Sequence, residues 1–495
     1  MSSVPGHRST WLMLLLAALG CLAVWAAANR PVDAPDVAGR IGGLAFSPFG
    51  RGQSPEDGSF PTAAEIRADL QRAAAVSGQV RSYTVQGEMM RLPDMAAELG
   101  LRLSVGAWLS ADEAANGVET ARLVRATRQA HNVDRLIVGN EVLLRGDLTE
   151  AQLIAHITRV RAASGLPVTT AEPWHVWLKQ PALARAVDVI TVHLLPYWEA
   201  IPRADALRFV QEKLAAVQAA YPGKKIVIGE IGWPSNGVDI GPAHASRQDQ
   251  AAFMRGFMQI AAARGLDYFV MEAFDQPWKT SFEGRAAGYW GMFDLDRQAK
   301  WPLAGPVWET PGWPLWSGFS ILAAGLLAGL LLRRRPDMAP VGKLLMAALA
   351  QGFTAALVCL LLAMSERYLS AGAAAVWVGL ALGQGFLLLL LLAASFELTE
   401  TVWGRVWRRM PVLTRAGPPG VPALARLPKV SIHVAICNEP PHMVRRTLDA
   451  LAALDYPDFE VLVIDNNTTN PTLWEPVAEH CARLGCRFRF FHLGA

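Results

Sequence analysis

Between residue 41 and about residue 308, short apolar runs alternate with longer amphipathic stretches. The apolar runs are rich in Val, Ile and Leu, which is typical of strands buried on both faces of a parallel sheet. They predict strands at residues 41–46, 80–85, 101–107, 136–140, 168–171, 187–194, 225–230 and 268–273. The stretches between them have the helical period and predict helices at residues 62–76, 113–130, 149–163, 203–221 and 244–263.

This alternation predicts the fold class of the central domain. Eight strand–helix repeats in residues 41–310 are expected to form an α/β fold, a (β/α)8 TIM barrel. An open doubly wound sheet is the alternative, but no Gly-rich phosphate loop follows the first predicted strand.

Outside the predicted barrel, the chain contains apolar runs of about membrane-spanning length, in keeping with its hydrophobic content of 52%. Residues 1–29 are interpreted as a signal anchor or first transmembrane helix, because His7 and Arg8 precede an apolar run at residues 11–28. Residues 26–28, all Ala, could be a cleavage site, but an uncleaved anchor is favoured. A Pro- and Asp-bearing linker at residues 30–40 follows. Three further spans are predicted at residues 315–332, 343–364 and 371–394.

Arginines flanking these spans predict the topology. Residues 333–335 are all Arg, and a second group comprises Arg405, Arg408, Arg409 and Arg415. Positive residues favour the cytoplasmic side, and four crossings place both groups there. The barrel and the loop that holds Glu366 are then expected outside the membrane, with the C-terminal segment in the cytoplasm.

Two of the predicted barrel strands end at a glutamate. Glu141 follows the fourth strand, directly after Asn140, and Glu230 ends the seventh. A single glutamate at a strand end is usually a solvated rim residue, but the carboxyl ends of all barrel strands meet at one face. Two carboxyl groups facing each other across a bond are what glycosidic cleavage requires. Glu141 and Glu230 are therefore the candidate catalytic residues.

Charge and cysteine content exclude other function classes. The net charge of +3 is too small to favour nucleic acid as a partner, and no basic stripe with interleaved aromatic residues is present. Residues 30–313 contain no cysteine, so this region holds no disulfide. Cys481 and Cys486 form an isolated pair, for which buried thiols are a better interpretation than a metal site. No metal site is predicted.

The motifs around the two glutamates resemble glycoside hydrolase family 17, the β-1,3-glucanases and β-1,3-glucanosyltransferases. They are Gly139-Asn140-Glu141-Val142 and Gly229-Glu230-Ile231-Gly232-Trp233-Pro234-Ser235, and the segments 271–279 and 289–294 are similar to fungal and bacterial members. The resemblance implies that Glu141 is the acid/base, that Glu230 is the nucleophile and that Asn140 holds the sugar 2-hydroxyl. It implies β-1,3-glucan or its oligosaccharides as substrate and no cofactor.

Other polar and aromatic residues follow the predicted strand ends and are candidate substrate-binding residues. Tyr83 and Tyr197 are candidate donors to the nucleophile or to sugar hydroxyls, with rim packing as the alternative. Glu272, Asp275 and Lys279 are expected to bind substrate or to pair with one another. Indole faces that can stack on sugar rings are provided by Trp174, Trp198, Trp233 and Trp278.

The chemistry itself predicts two properties of the glutamates. A general acid must hold its proton near neutral pH, so the pKa of Glu141 is expected to be raised by burial or by a neighbouring negative charge. A separation of about 5–5.5 Å between the carboxyl groups predicts retention of anomeric configuration, whereas about 6.5–9.5 Å predicts inversion.

The C-terminal part has a different pattern. Residues 395–428 are expected to form an interfacial helix at 401–410 and a Pro/Gly linker. Residues 429–495 have a βαβ pattern that resembles the start of a family 2 glycosyltransferase with a GT-A-like fold, with Asn438, Glu439 and Asp465 at its nucleotide-sugar-binding positions. The family's Asp-x-Asp, catalytic Asp and Gln-x-x-Arg-Trp motifs are absent. This segment is therefore expected to be incomplete and inactive alone. A third strand is expected to begin at about the point where the sequence stops. A divalent metal and UDP-glucose are expected only for a complete domain.

Together these patterns predict a multi-pass enzyme of the bacterial inner membrane. Its periplasmic barrel would be a retaining β-1,3-glucan hydrolase or transglycosylase, attached to a cytoplasmic synthase-type segment and to the lipid bilayer. The alternative is a catalytically inactive barrel that binds and guides glucan.

Overall fold

The computed structural model describes residues 4–333, 335, 338–403 and 428–494, with side chains from residue 8, and the chain divides into two compact units after Gly404. In the first unit, helix α1 (Val4–Ala28) precedes a segment that packs on the barrel. Val32 and Val307 form an antiparallel bridge, and the buried Arg255 guanidinium binds the carbonyls of Ala34 and Pro35.

Eight parallel strands close into a barrel in sequential order, which confirms the predicted fold. Each predicted strand has a counterpart, and the main differences are at the ends. The strands are β1 (Leu44–Ala45), β2 (Gln79–Arg81), β3 (Arg102–Ala107), β4 (Val133–Asn140), β5 (Val168–Pro173), β6 (Val189–Leu194), β7 (Lys225–Ile231) and β8 (Tyr268–Val270).

Helices surround the barrel, and capping residues define where several of them begin. Thr62 and Glu65 cap each other reciprocally at the start of one helix, and Thr149 and Gln152 do so at another. The five predicted helices are present, together with four short ones that the hydrophobic period did not indicate. The helices are α2 (Ala63–Val76), α3 (Leu92–Glu98), α4 (Glu113–Thr127), α5 (Val142–Arg145), α6 (Glu150–Ser164), α7 (Trp174–Lys179), α8 (Pro181–Ala186), α9 (Arg203–Ala220) and α10 (Arg247–Arg264).

Three long apolar helices follow: α11 (Trp313–Leu332), α12 (Pro340–Ser365) and α13 (Ala371–Trp403). With α1, four described helices are long and apolar enough to cross a membrane. The α13 helix continues nine residues past the predicted end of the fourth span, to Trp403, and so overlaps the first part of the segment 395–428 that was predicted to hold an interfacial helix at 401–410 and a linker. The remainder of that predicted segment, residues 404–427, lies outside the described residues, as does Arg334.

Small residues form the contact between three of these helices. Ala17 of α1, Ala324 and Ala328 of α11, and Ala347 and Ala350 of α12 are buried against one another. Small side chains let helix backbones approach closely, which is how helices pack when burial of apolar surface does not favour association in lipid.

The second unit contains a three-stranded parallel sheet with its own core. Strand β9 (Val430–Ile436), helix α14 (Pro441–Ala452) and strand β10 (Phe459–Asn466) match the predicted βαβ pattern. Helix α15 (Pro471–Leu484) and strand β11 (Phe488–Leu493) complete it, in strand order β11-β10-β9. The third strand therefore lies within the sequence rather than beginning where it stops. Cys481 is buried, but Cys486 is exposed, contrary to prediction.

Candidate active site

A cleft of about 550 Å³ opens at the carboxyl ends of the barrel strands. This is the face at which a parallel barrel collects side chains from several strands. The lining contains both predicted catalytic glutamates and three tryptophans. Lining residues include Tyr83, Trp108, Asn140, Glu141, His193, Trp198, Glu230, Trp278, Lys279 and Glu283.

Glu230 lies near the end of β7 and is almost completely buried. Its Oε1 accepts a hydrogen bond from the Tyr83 hydroxyl at 2.9 Å and from the Arg81 guanidinium at 3.3 Å. Burial and the adjacent charge of Glu230 raise the pKa of Tyr83 well above its ordinary value, so the hydroxyl stays protonated and remains a donor. One carboxyl oxygen of Glu230 is therefore held by two donors.

Arg81 connects Glu230 to the residue before Glu141. Its side chain is fully buried, and Nη1 also donates to the Gly229 carbonyl at 2.6 Å. Its Nη2 donates to Asn140 Oδ1. Because the Asn140 oxygen is bound by Arg81, its amide nitrogen is the group available to face the cleft.

Glu141 lies at the turn between β4 and α5, with left-handed backbone angles (φ 53°, ψ 32°). Residues other than glycine adopt these angles infrequently, so the surrounding structure must stabilise the turn. Glu172, at the end of β5, does so by accepting hydrogen bonds from the amides of Leu143 at 2.8 Å and Leu144 at 3.3 Å.

Glu172 was missed by the sequence analysis, although it has the same signal as the catalytic glutamates: a carboxylate at a strand end. Burial raises its pKa to about 7, against the lowering effect of the Leu143 amide. The predicted fifth strand ended at residue 171, one position too early to include it.

His193 lies between the two candidate catalytic glutamates. Its Nδ1 is 2.8 Å from Glu141 Oε1 and 3.5 Å from Glu230 Oε2. Nε2 lies 3.2 Å from Arg81 Nη1, which can only donate, so Nε2 is the acceptor and the proton is on Nδ1. His193 therefore donates to Glu141.

The pKa of Glu141 differs from the expectation. Burial raises it, but the His193 hydrogen-bond donor, together with the positive charges of Arg145 and Arg81, outweighs burial and leaves the pKa below its ordinary value. Burial and a neighbouring carboxylate could be inferred from the sequence, but the imidazole donor could not, because His193 is 52 residues away in the chain.

Glu141, His193 and Glu230 also form a group that can hold a metal ion, since one ligand atom from each lies within 4.8 Å of the other two. This group was not predicted from the sequence, because its members come from three separate segments of the chain. The Arg81 guanidinium lies against two of the three residues, and its positive charge opposes the binding of a cation.

Two predicted binding residues do not contact the cleft. The Tyr197 side chain is buried and its hydroxyl donates to the Val238 carbonyl. Trp233 is also buried, with its indole N–H donating to the His244 carbonyl at 2.8 Å and its ring packed on Tyr197. Their polar atoms are bound to backbone carbonyls of the β7–α10 loop, so both residues have a packing role. Packing was the alternative left open for Tyr197, whereas the predicted sugar contact of Trp233 is not found.

The segment after β8 divides its predicted residues between the cleft and the interior. Trp278 and Lys279 line the cleft. Glu272 is fully buried behind them and accepts two hydrogen bonds from Lys279 Nζ, at 2.8 and 3.0 Å, so of the two predicted alternatives these residues pair with each other. Burial raises the pKa of Glu272 to about 7, while Lys279 opposes the shift.

Asp275 does not reach the cleft either. It is buried and binds Lys300 Nζ at 2.7 Å, the Gly291 amide at 2.8 Å and the Tyr368 hydroxyl at 2.7 Å. Neither substrate binding nor pairing with Lys279 describes it, so both predicted roles are wrong. Its partners Lys300 and Tyr368 were not identified from the sequence.

Three tryptophans are among the aromatic residues that line the cleft. Trp198 and Trp278 were predicted, whereas Trp108, which follows β3, was not. Trp174 is not among the lining residues, and its indole N–H donates to Glu199 at 2.7 Å. The Trp108 ring packs under the Arg145 guanidinium at 4.4 Å, which fixes one side of the cleft.

In the second unit, the three predicted nucleotide-binding residues lie at the carboxyl ends of β9 and β10. Asp465 is buried. Its Oδ1 accepts a hydrogen bond from the Thr468 hydroxyl at 2.5 Å, and its Oδ2 lies 2.6 Å from His492 Nδ1. The Asn438 amide donates to the same Thr468 oxygen at 2.9 Å. Glu439 is exposed and accepts from the Cys437 amide.

Comparison with known proteins assigns both parts of the chain. Residues 43–291 match the model of the BtgE/BtgC glycoside hydrolase domain, and residues 431–495 match that of glycosyl transferase family 2. A glucan 1,3-beta-glucosidase of Arthroderma benhamiae is 27% identical over 51% of this chain and 88% of the relative. One from Saccharomyces cerevisiae is 25% identical over 53% of this chain and 91% of the relative.

Among solved structures, the chain is similar to a glycoside hydrolase family 17 β-1,3-glucanosyltransferase from Rhizomucor miehei. The TM-score is 0.48, with 25% identity over 54% of this chain and 97% of that chain. An active-site mutant of the Rhizomucor miehei β-1,3-glucanosyltransferase in complex with laminaritriose gives a TM-score of 0.47, with 25% identity over 53% of this chain and 96% of that chain.

Proposed function

Because the chain belongs to the family of the BtgE/BtgC glycoside hydrolase domain, we propose that its barrel cleaves β-1,3-glucan and transfers the released glycosyl group by a retaining mechanism. Glu141 is the acid/base and Glu230 the nucleophile. The barrel domain comprises residues 41–310. Glucan 1,3-beta-glucosidases among its relatives support the substrate class.

The observation that carries the proposal is the distance between the two acids. One carboxylate oxygen of Glu141 and one of Glu230 lie within 4.8 Å of each other. Retaining glycosidases have carboxyl groups about 5–5.5 Å apart, whereas inverting enzymes need about 6.5–9.5 Å to admit a water between carboxylate and sugar. The short distance favours direct attack by Glu230 on the sugar.

In the first step, Glu141 donates its proton to the glycosidic oxygen while Glu230 attacks the anomeric carbon. The bond from carbon to the leaving oxygen breaks, and a glycosyl ester of Glu230 forms. Tyr83 and Arg81 bind Glu230 Oε1, so the attacking oxygen is Oε2. Burial favours the protonated form of Glu141 that this step needs, while the His193 donor opposes it.

In the second step, Glu141 removes a proton from an incoming hydroxyl, whose oxygen displaces Glu230 from the anomeric carbon. Water as the acceptor gives hydrolysis, and a sugar hydroxyl gives a longer glucan. Trp108, Trp198 and Trp278 line the cleft and offer faces on which sugars can stack, which favours a bound sugar acceptor.

Asn140 and Lys279 bind the substrate on either side of the reacting sugar. The Asn140 amide nitrogen donates to the 2-hydroxyl, since its oxygen is bound by Arg81. Lys279 stays protonated because the partner Glu272 outweighs the effect of burial and raises the pKa of the lysine. It can then donate to sugar hydroxyls while remaining paired with Glu272.

The other segments support a membrane location for this activity. We assign α1, α11, α12 and α13 as four spans of the bacterial inner membrane, with the barrel in the periplasm. Residues 429–495 lie in the cytoplasm and belong to a nucleotide-sugar transferase, which as a complete domain would use UDP-glucose and a divalent metal. The barrel then remodels the glucan that such a synthase exports.

The proposal is tested with the full chain in detergent and laminari-oligosaccharides. The expected products include chains longer than the substrate, and Glu141→Gln or Glu230→Gln should lower kcat by about 10²–10⁴-fold. With the Glu141 variant, azide should give a glycosyl azide of retained configuration. Glucan binding without any product in the unmodified chain would instead indicate a guide barrel.

Orientation is tested separately from activity. A reporter enzyme fused after Glu309, on the barrel side of α11, should be active only outside the cytoplasm. Activity confined to the cytoplasm would overturn the assigned topology and leave the glycosidase assignment unaffected.

A further inference from the structure

The short loop between the candidate spans α12 and α13, residues 366–370, lies directly on the barrel. The Asn236 side chain donates to the Glu366 carbonyl at 3.1 Å. The Glu366 carboxylate is 3.8 Å from Arg247 in a half-exposed pair, which contributes little to stability. The contacts of Tyr368 are closer and better buried.

Tyr368 makes four interactions with the barrel. Its hydroxyl donates to Asp275 Oδ2 at 2.7 Å and accepts from the Leu295 amide at 3.1 Å. Its ring stacks on Tyr289 with 4.9 Å between centroids and 12° between planes, and its backbone amide donates to the Tyr289 hydroxyl at 2.9 Å. A membrane-loop tyrosine is thus part of the buried network around Asp275.

The two barrel segments that Tyr368 contacts both support the cleft. Asp275 lies in the segment after β8, three and four residues before Trp278 and Lys279, which line the cleft. Tyr289 precedes Trp290, whose ring stacks on the cleft residue Trp198 at 5.4 Å. The contact of one loop residue therefore reaches two walls of the substrate site.

The charge at Asp275 makes this contact specific. The carboxylate is buried, and burial raises its pKa despite the Lys300 ammonium beside it. Burial and the Asp275 charge also raise the pKa of Tyr368, so its hydroxyl is a donor throughout the working pH range. Hydrogen bonds to a buried charged group are stronger than those between neutral groups. Removal of the Tyr368 hydroxyl would therefore leave the Asp275 carboxylate with one donor fewer.

We propose that Tyr368 is a positioning residue of the glycosidase, acting through Asp275 on residues 271–279 so that Trp278 and Lys279 are held in place for substrate. The inference rests on the proposed glucan activity of the barrel. It adds that the membrane segment is needed to complete the cleft, because Tyr368 is supplied by the loop between two candidate spans.

The test compares Tyr368→Phe with Tyr221→Phe in the full chain in detergent. The first variant removes the donor to Asp275 and keeps the stacked ring. Tyr221, in the loop before β7, donates its hydroxyl to the Trp177 carbonyl, so its variant loses one part-buried hydrogen bond between two residues that do not line the cleft. We expect Tyr368→Phe to raise KM for laminari-oligosaccharides about three- to tenfold with kcat little changed, and Tyr221→Phe to change neither.

Two further measurements separate positioning from general loss of structure. Hydrogen exchange of residues 271–279 should increase in Tyr368→Phe and not in Tyr221→Phe. In the variant Asp275→Asn, adding Tyr368→Phe should cause no further rise in KM, because both changes break one interaction.

The outcomes distinguish this inference from the proposed function. Unchanged KM and unchanged exchange in Tyr368→Phe would overturn the positioning role. So would a full, independent effect of Tyr368→Phe in the Asp275→Asn background. An unmodified chain without activity would refute the proposed function, and the exchange measurement would then still decide whether Tyr368 holds residues 271–279.

Discussion

At the scale of single residues, the site depends on how its carboxylates are solvated by protein groups. Glu230 is bound by a tyrosine and an arginine, and Glu141 by a histidine. Glu172 has no role in bond cleavage, but it binds the two amides that follow Glu141 and so stabilises the left-handed turn. Three acids with similar sequence signals thus have three different roles.

Glu172→Gln should change how stability depends on pH. The pKa of Glu172 is about 7 in the folded protein, above the value of about 4.3 in an unfolded chain. Its contribution to stability is therefore complete below about pH 4.3 and is lost as the pH rises through 7, by up to about 4 kcal/mol. Glutamine does not titrate, so the variant should lose less stability than the unmodified chain between pH 5 and 8. Thermal unfolding of the variant and of the unmodified chain at both pH values checks this prediction. An equal loss of stability in the two proteins would contradict it.

His193→Ala should move the basic limb of the pH profile of kcat/KM upward. His193 is the main group that lowers the pKa of Glu141, and burial alone would raise it. Without the imidazole, Glu141 keeps its proton to higher pH, and the basic limb is expected to move upward. His193→Asn is the matched control, because its amide can still donate to Glu141. A downward shift in the alanine variant would contradict the prediction.

At the scale of elements, the sequence predicted the barrel well because each strand is a short, continuous apolar run. Strand β6 was predicted at 187–194 and is found at Val189–Leu194. Residues at strand ends were predicted less well, since a side chain there can face the cleft or pack behind it. Tyr197 and Trp233 show this: their polar atoms bind carbonyls of the β7–α10 loop, which the period of the sequence does not indicate.

The loop after β8 should be sensitive to any added side-chain atom at Gly291. A Cβ at this position would lie 2.2 Å from the Asp275 nitrogen and 2.4 Å from the Phe274 carbonyl carbon, both backbone atoms. Gly291→Ala should therefore destabilise the barrel by about 3 kcal/mol. Gly117→Ala in α4 is the control, because no atom lies within 4 Å of its Cβ and alanine favours a helix. Thermal unfolding should show a large loss of stability for Gly291→Ala and a small gain of stability for Gly117→Ala.

At the scale of the whole molecule, the contact between residues 275 and 368 could not be predicted. The two residues are 93 positions apart, in segments whose patterns indicate a barrel loop and a membrane loop. No local period relates them. The sequence did predict that both segments lie on the same side of the membrane, which is a condition for the contact.

A soluble protein of residues 30–312 should retain the barrel but not Tyr368. We expect its KM for laminari-oligosaccharides to be about three- to tenfold above that of the full chain, with similar kcat. The Tyr368→Phe change in the full chain provides the reference value. Equal KM values for the soluble barrel and the full chain would show that the membrane loop has no part in substrate binding.

The bridge between Val32 and Val307 has a consequence for how the enzyme is built. Since the entering and leaving chains run side by side, the barrel is an insertion between two candidate membrane helices, α1 and α11, and is connected to them at both ends. If both helices lie in a membrane, a protease that cuts only one of the two connections should not release the barrel, and both must be cut to free it.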